Sequence, residues 1–89
     1  MDVMIRGRRW KLLATNNLPK TIDGCCDDPR SINKSIRIRK SLKGRLELET
    51  IIHECSHAGH WDLAEEAIQE MSFDLARILY RLGYRKVAN

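Results

Sequence analysis

The sequence predicts an α+β fold, with a small N-terminal antiparallel or mixed sheet followed by two packed helices. Three observations carry this. "KSIRIRKSL" alternates apolar and basic residues with a period of two. "LELETIIHECSHAG" then changes to helical spacing, and from Ala64 the apolar residues Ile68, Met71, Leu75, Ile78 and Leu82 step by 4, 3, 4, 3 and 4. At 89 residues the chain has room for one core, so a single domain spanning 1–89 is expected. Its sheet region takes about 1–43, its first helix about 45–60 and its second about 63–82.

The elements follow in order. "WKLLAT" reads as a first strand ended by "NNLP". "TIDGCCDDPRSIN" is dense in Gly, Asp, Pro and Ser and reads as a loop with turns. In the next strand Ile36 and Ile38 point one way and Arg37 and Arg39 the other, giving a half-buried strand with a basic outer face. "SLKGR" breaks it. The first helix then places Leu48, Ile51, Ile52, Cys55 and Gly59 along one broad side, with Glu47 and Glu49 near its positive end. "GHWD" makes a bend. The second helix is expected to bury the stripe from Ala64 to Leu82 and to stop at Gly83, with Arg77 and Arg81 near its negative end.

Composition narrows the function classes. At 43% hydrophobic and 31% charged residues the chain reads as globular. No apolar run approaches the roughly 18–20 residues of a membrane span, and the basic start lacks the apolar stretch of a signal peptide. Cys25, Cys26 and Cys55 are odd in number, and two are adjacent, which disfavours a disulfide framework and points to a reducing, cytoplasmic setting. Charge is uneven: residues 1–45 hold 12 Lys/Arg and 4 Asp/Glu, residues 46–89 hold 4 and 8. The first half suits acidic partners and the second suits a cation.

The chemistry concentrates in "TIIHECSHAGHWDLAEE". Residues four apart share a helix face, so the Cβ atoms of His53 and His57 fall about 5–6 Å apart. That lets both imidazoles bind one Zn2+ ion at about 2.0–2.1 Å. Glu54, about 100° further round the helix, is placed as the general base. Zinc lowers the pKa of a water toward about 7 and polarises a carbonyl. Glu54 then takes the proton and passes it to the leaving amine. A catalytic zinc usually has a third protein ligand. Glu65 lies at the edge of the second helix's stripe, roughly 80–100° from its centre, and is expected to supply it. Glu66 is the main rival, with Glu70 and His60 behind it.

These residues carry a resemblance. "ETIIHECSHAGHWDLAEEAIQE" followed by "DLARILYRLGYR" resembles the short HExxH proteins common in phage and prophage genomes, which are similar to minimal zinc metallopeptidases of the gluzincin and SprT-like type. The resemblance covers residues 34–85. It implies a hydrolase with a zincin-like minimal core, a small sheet before the HExxH helix and an acidic third ligand from the helix after it. Position by position it gives His53 and His57 as ligands, Glu54 as base and Glu65 or Glu66 as the acidic ligand. "KSIRIR" would be the edge strand along which an extended peptide aligns. Full-length gluzincins add a downstream domain with an oxyanion-stabilising His, Tyr or Arg. The 89 residues are expected to leave no room for one, so the role would fall to Tyr80, Tyr84 or Arg81.

Competing readings stand beside each of these. The histidines can instead cap or pack, and Asp62 with Glu65 has the D-x-x-E spacing of a capping box. Cys55 reads as a small core residue, Cys25 and Cys26 as loop residues, and Asp74 as a partner of Arg77 or Arg81 rather than a support for a ligand histidine. Arg6, Arg8, Arg9, Lys11, Lys34, Arg37, Arg39, Lys40 and Lys43 form a candidate nucleic-acid face, with Trp10 as a stacking platform. The expected partners are a peptide or protein substrate, a host protein, or nucleic acid through the basic half, and not a membrane. The alternative to a peptidase is a zinc-stabilised binding module without catalysis.

Overall fold

A computed structural model describes residues 1–87. The fold is α+β: a four-stranded mixed sheet followed by two packed helices. The strands are β1 (Asp2–Ile5), β2 (Arg8–Thr15), β3 (Gly24–Cys26) and β4 (Ser35–Arg39), arranged in the order β1-β2-β4-β3. The helices are α1 (Gly44–Gly59) and α2 (Glu65–Arg81). None of the described helices is long and apolar enough to cross a membrane.

The basic start is half of a hairpin. β1 and β2 pair antiparallel, with Ile5 opposite Arg8 and a two-residue turn at Arg6-Gly7. Both turn residues have positive φ, 51° and 77°, as the tight turn matched to strand twist requires. β2 then pairs parallel with β4, and β4 pairs antiparallel with β3. The segment "TIDGCCDDPRSIN" is therefore not all loop, because Gly24, Cys25 and Cys26 form the outer strand. β4 is not the edge strand. It lies between β2 and β3, and β1 and β3 are the edges.

The predicted alternation in β4 holds, and it sets the core. Ile36 and Ile38 are 0% and 4% exposed and pack with Trp10 and with Ala58 of α1. Val3, Ile5, Leu12 and Cys26 come from the same sheet face, and Ile51 and Cys55 descend onto it from α1. Alternate positions put Arg9, Lys11, Leu13, Arg37 and Arg39 on the other face. Several of these charges are already matched. Lys11 bridges Asp2 at 2.8 Å, Arg37 bridges Asp27 at 2.8 Å, and Arg39 binds the carbonyls of Pro19 and Ile22. Trp10 is 1% exposed, so it is a core residue and not a stacking platform.

Among the described elements, α2 packs against α1 and no other. Its packed face differs from the expected one. Ile68, Ser72 and Ala76 are buried, whereas Met71, Leu75, Ile78 and Leu82 are 39–69% exposed. The helix is turned so that two small residues, Ser72 and Ala76, meet α1. Ser72 satisfies its hydroxyl by donating to the Ile68 carbonyl at 2.6 Å.

Candidate metal centre

The rotation of α2 decides where its acidic residues point. Taking Ile68, Ser72 and Ala76 as the packed face, Glu65 lies within about 20° of its centre, while Glu66 and Glu70 point away. Both of those are exposed. Glu65 is also free of capping duty. The N-cap of α2 is Ala64, with no side-chain cap hydrogen bond, so the Asp62–Glu65 capping box is not formed.

Three side chains converge. The rings of His53 and His57 meet edge to face with centroids 4.8 Å apart, and their Nε2 atoms are 3.2 Å apart. Glu65 turns one carboxylate oxygen to each ring, Oε1 2.8 Å from His53 Nε2 and Oε2 2.8 Å from His57 Nε2. The histidine side chains are largely enclosed and the Glu65 side chain is open to solvent. All three ligand atoms lie within 4.8 Å of one another, and among the described residues no other His/Cys/Asp/Glu group does this. His60 stands outside it, exposed at the C-terminal end of α1.

Hydrogen bonding alone accounts for two of the three contacts in this triangle. For both carboxylate oxygens to accept from the nitrogens facing them, both Nε2 atoms would have to be donors. Those two donors would then face each other at 3.2 Å. One cation shared by three lone pairs removes the conflict. Two nitrogens on a tetrahedral zinc, each at about 2.0–2.1 Å, sit roughly 3.3 Å apart. The residues present therefore fit zinc. Two imidazoles and one carboxylate match a known catalytic donor set, which keeps a fourth position open.

Glu54 sits beside this group. It is 9% exposed and is a member of none of the ion pairs among the described residues. Burial raises its carboxyl above the ordinary carboxylate value; the His57 charge opposes that and Glu65 adds to it. Its position depends on Gly24, which sequence reasoning missed. A Cβ on Gly24 would lie 2.9 Å from Thr50 Cγ2, 3.0 Å from Glu54 Cγ and 3.1 Å from the Arg37 carbonyl. Only glycine lets β3 close this tightly onto α1. The signal available was a glycine at the head of "GCC", which the turn-rich surroundings masked.

The remaining candidates fall elsewhere. Tyr80 and Tyr84 line a separate cavity with Gly44, at the start of α1. That point is about 13 Å along the helix from His53. Arg81 ends α2, about 24 Å from Glu65. Asp74 pairs with Arg77 at 3.7 Å on the exposed side of α2. Cys55 is a core residue as expected, and Cys26 faces the core from β3. Compared with family models, characterised proteins and solved structures, the chain matches none.

Proposed function

We propose that the protein is a minimal HExxH zinc peptidase, with His53, His57 and Glu65 as the metal ligands and Glu54 as the general base. The observation that carries this reading is the convergence of three candidate ligand atoms within 4.8 Å beside a carboxylate that joins no ion pair among the described residues. Zinc in that group would supply Lewis acidity to a carbonyl and acidify a water. Glu54 accepts the proton of the attacking water at its carboxylate and returns it to the leaving nitrogen. Its partial burial favours that exchange, since a raised carboxyl pKa brings it nearer the working pH.

The place for a peptide is the free edge of β3. Asp27 N–H donates to Ser35 and Arg39 N–H donates to Asp23, so the residues that bond β4 are Asp23, Cys25 and Asp27. The backbone groups of Gly24 and Cys26 thus face outward, next to Glu54, and can accept a strand added to the sheet. A zinc-stabilised module without catalysis is the second reading. The observation favouring it is the distance of Tyr80, Tyr84 and Arg81 from the histidines, which leaves the oxyanion without those donors.

The experiment that separates the two uses zinc-loaded protein and a peptide library. The peptidase reading expects cleavage that Glu54→Gln lowers by about 10²- to 10⁴-fold while zinc content stays unchanged. Cleavage undiminished in Glu54→Gln, or none from the zinc-loaded wild type, would reject it.

A further inference from the structure

A second cleft, of about 570 Å³, opens where α1 ends. Its walls are the hairpin tip with Arg6 and Arg8, the segment Asp28–Arg30, and Trp61 with Asp62. It adjoins the proposed metal centre. Ala58 and Gly59, the two residues after His57, line it, and the Trp61 ring lies 6.2 Å from that of His57. It also continues the line of β3, whose last residue, Cys26, is two short of the cleft wall at Asp28.

The charges in this cleft are unequally matched. Arg30 is taken up by Asp28 through three contacts of 2.6–3.2 Å, and Asp62 adds a further negative charge near it. Arg6 and Arg8 meet no carboxylate among the described residues. Each is fixed by one bond through Nη1, Arg6 to the Gly59 carbonyl at 2.9 Å and Arg8 to the Pro29 carbonyl at 3.3 Å. A guanidinium has five N–H donors, so most of theirs remain free while the groups are held in place. Arg6 moreover occupies a left-handed turn position, φ 51°, that favours Asn or Gly. The turn aims its side chain across the C-terminal end of α1.

We infer that this cleft is a subsite for a carboxylate of the substrate peptide, gripped by Arg8 with Arg6 beside it. The carboxylate is either an acidic side chain or the peptide's C-terminus. The inference rests on the peptidase reading and names its substrate class: a chain laid along the open edge of β3 runs its end into two pinned, unneutralised guanidiniums.

The test measures binding, so that it does not depend on turnover. The full chain carrying Glu54→Gln is loaded with zinc, and the change in tryptophan fluorescence, from exposed Trp61 over the constant background of buried Trp10, reports the binding of short neutral peptides. In one series a single Glu is walked along an amidated peptide against its Gln parent. In the other a free C-terminus is compared with its amide. One of the two series should show at least tenfold tighter binding of the carboxylate form, and that series identifies its source. The advantage should shrink as salt rises and vanish in Arg8→Met, while neutral peptides bind as before. Because Arg8 also pins Pro29, the salt titration of the chain without the Arg8 change stands as an independent check. Equal binding of acidic and neutral peptides, no binding of any, or a preference insensitive to both salt and Arg8→Met would overturn the inference. Absence of turnover by the wild type alongside a retained preference would remove the peptidase reading and leave the subsite standing.

Discussion

Glu65 is the residue on which the proposed centre turns, because of the three candidate ligands it alone comes from outside α1. Glu65→Ala should weaken zinc binding by at least tenfold, whereas Glu66→Ala, one position on but facing solvent, should leave it unchanged; competitive titration with a chromophoric chelator reads both. Gly24 is the second such residue. Its Cβ would meet the Arg37 backbone at 3.1 Å, which cannot swing aside as a side-chain tip can. Gly24→Ala should therefore cost about 1–3 kcal/mol in urea unfolding. Cys26 gives a chemical check of the same packing. Burial first, then the charges of Glu54 and Asp27, push its thiol up to about 12, so it stays protonated at neutral pH. Alkylation at pH 8 should miss Cys26 in the native protein and reach it in denaturant.

At the scale of elements, α2 shows where a sequence pattern misleads. The 4-3-4-3-4 stripe marks a helix correctly but assigns its face by size, and here the small residues Ser72 and Ala76 are buried instead. Small residues let α1 and α2 approach closely, and the same rotation brings Glu65 onto the histidines. A size-ranked stripe cannot register that trade. Ile68→Ala should cost about 2–4 kcal/mol, and Ile78→Ser or Met71→Ser should stay within about 0.5 kcal/mol, as measured by thermal or urea unfolding. The opposite ranking would restore the larger stripe as the packed face. In the sheet, β4 was legible because Ile36 and Ile38 alternate with arginines. β1 was not, since Arg6-Gly7 lacks the Asn-Gly signature of its turn. Nor was β3, three residues long inside a stretch rich in turn formers. The HExxH pair needed no such context, because helical spacing alone places its side chains together.

At the scale of the whole molecule, α1 is the one element among those described that α2 packs against, and at its first turn Glu65 reaches the α1 histidines. An ion held by ligands from both helices would tie that turn to the rest of the fold, and a ligand at about 100 times its Kd adds roughly 2.7 kcal/mol to stability. In a chain of this size that corresponds to a Tm higher by about 10–20 °C with zinc than with chelator. The most direct measurement is the metal content of the protein purified without chelator, by native mass spectrometry beside elemental analysis. The protein should carry one zinc per chain, lost when His53 and His57 are both replaced by alanine. A metal-free chain that takes up no zinc, or one that keeps its zinc without those two histidines, would contradict it.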